Sequence, residues 1–304
     1  MRYDQHLVTL LWADYELLDS GENMKLERFG AVTLTRHETQ ALWTKSKPEL
    51  WNKADATFIS GEKGSWEVHT KIPESWQMTR GPLTFLAKLG NFKHVGVFPE
   101  QEPNWVWIKD RVLDVVRLTS NVRRTTSYIP NVLNLFGYTG IATLAAAHAG
   151  AKVTHVDASK QSLDWAHENA RLTGIAKDAV RWIPDDALAF VKREARRGAK
   201  YEGIILDPPA FGRGPKGEVW HIERDLPTLL AACKELLSDT PGAFFLMSGY
   251  AAGYSAYAFE QLVESVFGTV TGESGELHLK ETSADRVVPS GIYCRFTRSA
   301  GELR

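Results

Sequence analysis

From residue 131 onward, apolar and polar positions follow two periods in turn. Short apolar runs at 132–136, 153–156, 180–183, 203–206 and 243–247 predict buried strands. Segments with helical spacing separate them, at 141–149, 159–173, 187–197, 223–237 and 255–267. On the second of these, Leu163, Ala166, His167 and Ala170 share a face, so His167 reads as a packed or surface residue. Strand–helix alternation with strands apolar throughout predicts an α/β fold, a doubly wound sheet with helices on both faces. The pattern changes at the end. Strands at 276–280 and 292–297 are joined through 283–291 with no helix between, which predicts a terminal antiparallel hairpin.

Residues 1 to about 90 carry a shorter, period-two pattern. The runs 15–21, 25–29 and 32–35 surround a turn-like Gly21-Glu22-Asn23, and 57–59 with 66–69 flank a second turn at 61–64. A further strand is expected at 83–89. These features predict a small β-rich N-terminal domain over 1–94, substrate-facing or structural, ahead of a second domain over 95–304. At the junction, Pro99 and Pro103 are expected to break regular structure. The stretch 95–107 is then either a linker or a segment folding over the turn described next. Residues 110–121 read as a helix, with Arg123 and Arg124 beyond it on a solvated face.

The apolar share of 43% is ample for a core, and the formal net charge of −1 gives no global signature of nucleic-acid binding, although it leaves room for a local patch. Two cysteines, Cys233 and Cys294, make neither a disulfide framework nor a zinc site, and no metal is expected. No apolar run approaches membrane-spanning length and no N-terminal apolar leader is evident, so a cytoplasmic location without membrane partners is expected.

The chemistry-bearing residues fall at the carboxyl ends of the predicted strands, where open α/β sheets bind ligands. The first strand runs into Phe136-Gly137-Tyr138-Thr139-Gly140 and then a helix. Such a junction aims backbone N–H groups and a helix N-terminus at whatever lies above it. Gly137 is expected to supply an unusual φ and a close ligand approach, Thr139 the helix N-cap, and Gly140 close packing of helix on strand. An ordinary tight connection is the alternative. The second strand ends in Asp157, 20 residues after Gly137, a separation that suits an acceptor of ribose hydroxyls. Asp157 could instead simply cap the helix that follows. The third delivers Asp185-Asp186-Ala187, where a carboxylate can accept from an adenine amino group while Asp186 also caps a helix. The fourth ends in Asp207-Pro208-Pro209-Ala210-Phe211. Two prolines directly after a buried strand end its ladder, fix φ twice and leave free carbonyls. Asp207 and those carbonyls can accept from an amino group, and Phe211 can stack on a flat ring.

Together, Asn134-Leu135-Phe136-Gly137-Tyr138-Thr139-Gly140, Asp157, Asp185-Asp186-Ala187 and Asp207-Pro208-Pro209-Ala210-Phe211 resemble the class I S-adenosylmethionine-dependent methyltransferases. The Tyr-Thr-Gly turn and Asp-Pro-Pro-x-Phe resemble in particular the bacterial 23S ribosomal RNA base methyltransferases of the cytosine C-5 and guanine N-7 type. The stretch 96–101 resembles their cofactor-covering segment. The resemblance implies a Rossmann-like methyltransferase sheet and S-adenosylmethionine as cofactor. Asn134 and the backbone of Phe136, Gly137, Tyr138, Thr139 and Gly140 would hold its methionine part. Asp157 would take the ribose, Ala158 would pack on adenine, and Asp186 with Ala187 would take the adenine amine. Phe98 and Gln101 would cover the cofactor. Asp207, Pro208, Pro209 and Phe211 would be catalytic, holding the target base with Asp207 also beside the cofactor. An NAD enzyme is disfavoured, because Gly137 and Gly140 do not complete Gly-x-Gly-x-x-Gly.

One departure limits the chemistry. Cytosine C-5 is not nucleophilic by itself and needs a thiolate. The relatives carry a cysteine just after the fifth strand, where this chain has Met247-Ser248-Gly249-Tyr250-Ala251. Cys233 and Cys294 read as buried fillers. The expectation is therefore methylation of a nucleobase nitrogen in RNA, ribosomal RNA in the first instance. Methylation of a protein side chain or small molecule is the alternative, and a catalytically silent cofactor-binding scaffold is a further one.

Overall fold

The period-two pattern near the amino terminus folds into strands because alternate side chains can be buried on one face of a pleated sheet. In the computed structural model, residues 2–9, 12–61, 64–90, 92–123, 128–250 and 253–298 are described. Glu62 and Lys63 of the expected second turn, Arg124, Ala251 and the side chain of Arg123 lie outside them.

The elements begin with β1 (Arg2–Thr9), β2 (Tyr15–Gly21), β3 (Met24–Phe29), β4 (Val32–His37), α1 (Pro48–Trp51), β5 (Ala56–Ile59), β6 (Ser65–Val68), β7 (Trp76–Arg80) and β8 (Leu83–Ala87). A 3-10 turn over Pro99–Gln101 leads into α2 (Glu102–Arg123). Then come β9 (Asn131–Leu135), α3 (Ile141–His148), β10 (Lys152–Asp157), α4 (Lys160–Thr173), β11 (Val180–Pro184), α5 (Ala187–Arg196) and β12 (Gly203–Leu206). The chain finishes with β13 (Phe211–Arg213), β14 (Val219–His221), α6 (Ile222–Leu236), β15 (Phe244–Gly249), α7 (Ala256–Phe267), β16 (Gly272–Lys280) and β17 (Val287–Thr297). The chain divides into two compact units. One comprises Leu7–Pro103 with Leu277–Ser290, and the other is built on Asn104–Glu276 with the described parts of 1–6 and 291–304.

In the first unit, β2 to β6 form a five-stranded sheet in chain order, and β7 with β8 forms a separate ribbon. The β2–β3 connection is a two-residue turn with Glu22 and Asn23 both at positive φ, the arrangement that matches strand twist in a tight hairpin. Apolar positions such as Leu17, Leu26, Phe29, Leu34 and Phe85 are fully buried. So are charged ones. Arg36 donates from Nε and Nη2 to the two oxygens of Glu27 at 2.7 and 2.8 Å. Lys25 lies between Glu27 and Glu38 at 3.6 and 3.5 Å. Burial would raise the Glu27 pKa, but Arg36 and Lys25 outweigh it and hold the carboxyl below its ordinary value.

The second unit carries most of an eight-stranded sheet in the order β1-β16-β17-β15-β12-β9-β10-β11. The strands from β15 to β11 are parallel, and β17 is antiparallel to β15, as the missing helix before it predicts. The chain winds from β9 outward to β11, then returns to β12 and continues to β15. Right-handed crossovers in opposite directions place α3 and α4 on one face and α5 and α6 on the other. Accordingly α3 packs on α4, α5 on α6, and α6 on α7. This is a Rossmann-like doubly wound sheet. Its core includes Leu133, Leu135, Val156, Phe190, Leu229, Phe245 and Phe296.

Three details differ from the sequence expectations. β1 joins the edge of the large sheet, a strand the apolar pattern does not announce. Pro99 and Pro103 start helical structure rather than break it: Pro99 opens the 3-10 turn and Pro103 is the second residue of α2. A missing N–H costs nothing in a first turn, where it has no intrahelical acceptor. The closing hairpin is also tighter, because β17 already begins at Val287.

The Glu27–Arg36 pair gives a stability prediction. Arg36→Leu leaves a buried carboxylate short of its principal partner and should cost about 3–5 kcal/mol, the usual penalty for breaking a buried pair. Denaturant unfolding checks this; a midpoint unchanged from the parent protein would show the pair to be dispensable.

Candidate active site

Strand register brings the predicted residues to one edge. Leu135 of β9 is opposite Val156 of β10 and Leu206 of β12. Phe136, Asp157 and Asp207 are therefore each one residue beyond the same level of the sheet. Asp157 is in turn opposite Pro184, so Asp185 follows on the next strand. With strands about 4.8 Å apart, these groups line a shelf roughly 15 Å long.

The turn at the centre is held from below. The imidazole of His155 lies where a side chain at 137 would go: a Cβ there would sit 2.3 Å from His155 Cε1. Gly137 is required by this approach, not by its φ. The positive φ values fall on its neighbours, Phe136 at 56° and Tyr138 at 48°. Gly140, at φ 84°, occupies the N-cap position of α3, not Thr139. Thr139 is buried, and its carbonyl accepts from Asn169 Nδ2 at 2.8 Å. Gly140 also admits α4, since a Cβ there would be 3.0 Å from the Ala166 Cβ. Asn134 is buried under the turn and donates from Nδ2 to Thr143 Oγ1 at 2.9 Å. Thr143 Oγ1 is 2.9 Å from His155 Nδ1. Burial, with a smaller contribution from His167, pushes the His155 pKa down to about 3, so the ring is neutral; either Thr143 Oγ1 or His155 Nδ1 can be the donor between them, according to the tautomer.

Asp157 braces the same turn. Its Oδ2 accepts from the Tyr138 amide and its Oδ1 from the Ser159 amide, both at 2.8 Å. Burial raises its pKa against the pull of these two bonds. Each oxygen keeps a lone pair for a further donor. The cap of α4 is Ser159, not Asp157. Ala158 is half-buried between them. Asp185 forms an ion pair with Arg193. Asp186 caps α5 through the Ala189 amide at 2.8 Å, and Ala187 is buried behind it. A cavity of about 310 Å³ opens beside Asp186, lined by Leu188, Ala189, Lys192, Val219, Trp220 and Arg224 among others.

On the fourth strand, Asp207 stands next to Ser248, which follows its partner level on β15. Burial pushes its carboxyl up to about 6, and the hydrogen bond from Ser248 only partly opposes this. The prolines do not leave all their carbonyls free. Pro209 O accepts from Trp220 Nε1 at 2.7 Å, and the Ala210 carbonyl accepts from the Ile222 amide. The two-stranded β13–β14 ribbon that carries Trp220 is a feature the sequence reading missed, although Val219-Trp220-His221 has the alternation of a short strand. Trp220 also meets the glycine turn, its ring 5.0 Å from Phe136. Phe211 is 52% exposed at the start of the ribbon. Phe98 and Gln101 belong to the other unit, where the Phe98 ring lies tilted against His94 with centroids 4.7 Å apart and Gln101 ends the 3-10 turn.

Neither thiol is disposed to attack. Cys233 and Cys294 are fully buried, and burial pushes both pKa values well above the ordinary thiol range. The donor set instead suits a nucleoside-bearing cofactor: an acidic pair of lone pairs at Asp157, an open Asp186 oxygen beside a cavity, and backbone amides at the turn.

Comparison with known proteins agrees. The family model of S-adenosylmethionine-dependent methyltransferases matches residues 65–252. A crystal structure of a SAM-dependent methyltransferase from Agrobacterium tumefaciens is 38% identical, superposes with a TM-score of 0.88, and aligns over 97% of this chain and 94% of its own. Ribosomal RNA large subunit methyltransferase K/L from Syntrophotalea carbinolica is 31% identical over 191 residues, which is 62% of this chain and 24% of that protein. Its counterpart from Shewanella frigidimarina is 41% identical over 117 residues, 38% of this chain and 16% of that protein. The chain thus matches only a quarter or less of these relatives' length.

Gly137→Ala forces its methyl group into the His155 ring and should destabilise the fold by about 1–3 kcal/mol, as overpacking does. Adding His155→Ala should recover part of that loss by opening the space. Thermal unfolding of both variants tests the contact; if the second substitution makes matters worse by the full amount of its own defect, the two residues do not compete for space.

Proposed function

We propose that this chain, which belongs to the S-adenosylmethionine-dependent methyltransferase family, methylates a nucleobase nitrogen of RNA, with ribosomal RNA the first candidate. The cofactor supplies an electrophilic methyl group. Everything else is positioning by the chain's own residues.

In this reading the turn from Phe136 to Gly140, underpinned by Asn134, holds the methionine end. Asp157 accepts from the ribose, Ala158 packs on adenine, and the open oxygen of Asp186 beside Ala187 accepts the adenine amine at the mouth of the neighbouring cavity. Asp207 and the Pro208 carbonyl accept from the amino edge of the target base, Pro209 holds the strand end, and Phe211 bounds the ring plane. The cytoplasm, where ribosomal RNA resides, is the corresponding location, and among the described residues no helix is long and apolar enough to cross a membrane.

The observation that carries the choice of nitrogen is the pairing of a carboxylate acceptor at Asp207 with two buried thiols of raised pKa. A nitrogen lone pair attacks a methyl group without covalent help, so alignment supplies most of the rate, and effective molarities for such alignment reach about 10⁵ M or more. A base within a duplex would first be flipped out. The choice of RNA is supported by the ribosomal RNA methyltransferases that resemble this chain over part of their length.

Mass spectrometry of ribosomal RNA from deletion cells should lack one methylated base, restored by the wild-type gene. A complete set of RNA modifications, with methyl groups lost from protein or a metabolite instead, would move the substrate to those classes.

Asp207→Ala should abolish transfer while cofactor affinity stays within several-fold, because misplacement of the acceptor by about 1 Å can cost roughly a hundredfold. Asp157→Ala should do the converse and weaken cofactor binding, through loss of hydrogen bonds worth about 1.5–3 kcal/mol each to a charged acceptor. Calorimetry beside single-turnover rates separates the two.

The carboxylate form of Asp207 is the accepting one. Since its pKa is pushed up to about 6, the rate should fall as pH drops through that value and be near its plateau at neutral pH. Asp207→Asn should lose this acid limb. An acid limb that survives in Asp207→Asn would assign the titration to another group.

A further inference from the structure

The ribbon that follows the Asp-Pro-Pro turn has two unlike faces. Its register pairs Phe211 with His221, Gly212 with Trp220 and Arg213 with Val219. Side chains alternate along a strand, so Trp220 points to one face while Phe211, Arg213, Val219 and His221 share the other. The Trp220 face is complete: the indole is buried, rests on Phe136, and gives its N–H to Pro209. The opposite face is not. Phe211 and Val219 are 52% and 39% exposed there. The Phe211 and His221 rings meet edge to face with centroids 5.0 Å apart, and both are open to solvent.

Charge on this ribbon is unbalanced in a particular way. Arg213 and Lys216 are exposed, and neither side chain has a hydrogen-bond or ion-pair partner among the described residues. The nearby acids are engaged elsewhere. Glu218 Oε2 accepts from the Lys216 amide at 2.8 Å, and the side chain packs against Gly214. Asp225 pairs with Arg224 and also accepts from the His221 amide. Glu223 accepts from the Tyr254 hydroxyl at 2.8 Å. An uncommitted Arg213 therefore shares the face of two exposed rings, with Lys216 in the loop that joins the two strands, directly after the residues assigned to the acceptor.

Exposed rings interleaved with unpaired cations fit a single strand of nucleic acid, whose bases stack on rings while its phosphates meet cations. We propose that this outer face is a subsite for the single-stranded RNA flanking the methylated nucleotide. Phe211 bounds the target base, the adjoining base stacks on His221, and the phosphates next to it meet Arg213 and Lys216. This rests on the reading of RNA as substrate.

The test uses the full chain with a labelled, mixed-sequence single-stranded oligoribonucleotide, with binding followed across a salt series. Each phosphate contact on a single strand contributes about 0.7 to the slope of log affinity against log salt. Arg213→Ala with Lys216→Ala should therefore flatten the slope by about 1.4 and weaken binding at low salt. His221→Ala should weaken binding about fivefold or more with the slope unchanged, as loss of one stacking ring does. Cofactor affinity and thermal midpoint should match the parent protein in all variants, since Arg213, Lys216 and His221 line neither the glycine turn nor the cavity beside Asp186. If the wild-type protein methylates or binds RNA and the charge variant keeps the full slope, the subsite is wrong and the RNA reading stands. If the wild-type protein shows no salt-dependent binding and transfers methyl groups only to protein or small molecules, both fall together.

Discussion

The site depends on one close contact, the imidazole of His155 lying against the backbone at Gly137. A Cβ at 137 would be 2.3 Å from the ring, so the first strand can end in this turn only with glycine there. The ring is fixed in its turn by the Asn134–Thr143–His155 series of buried hydrogen bonds. Burial keeps the imidazole of that series neutral. Phe136 and Tyr138 then take left-handed backbone conformations, each costing on the order of 1–3 kcal/mol. The bonds from the Tyr138 amide to Asp157 and from Asn169 to the Thr139 carbonyl offset this strain. The outcome is a short segment whose amide groups are aimed before any ligand arrives, which is the kind of preorganisation a positioning enzyme needs.

Around that turn, four carboxylates have different partners. Asp185 has the Arg193 guanidinium. Asp186 has the amide of a helix N-terminus, where negative charge is favoured. Asp157 is partly buried but receives two amide bonds. Burial pushes the Asp207 carboxyl up to about 6, and among the described residues the Ser248 hydroxyl is its one opposing hydrogen-bond donor. A carboxylate with few committed partners is the one free to accept from an incoming group.

The unit built on Leu7–Pro103 solves a different problem. A small β-rich body has little apolar volume to bury, and it places paired charges inside. Asp19 is the clearest case. It accepts from the Ser46 and Lys47 amides, the Trp51 indole and the Ser283 hydroxyl, with Arg286 at 3.3 Å. These bonds hold its carboxyl well below the usual range despite burial. They tie α1 and the β16–β17 loop to the sheet within the same unit, at positions where no periodicity marks a contact.

The sequence by itself determined the strand–helix order of the second unit, the antiparallel last strand, and which four strand ends bring polar groups to one edge of the sheet. Those features are local: apolar runs of strand length, helical spacing, glycines and prolines each act on their own few residues. Asp186 as a helix cap was legible for the same reason. What only the tertiary structure decided was long-range. The need for glycine at 137 comes from His155, a residue on the neighbouring strand, so a turn read alone suggests unusual φ where the real constraint is space. The αL strain at Phe136 and Tyr138, the satisfaction of the Pro209 carbonyl by Trp220, and the placing of β1 at the far edge of the large sheet have the same origin. In each, the partner is distant in sequence, and periodicity carries no information about which distant group will arrive. The buried Lys25, Glu27 and Arg36 show the limit most directly: alternation marks them as polar, but only the packed fold supplies the opposite charges that let a polar face become an interior.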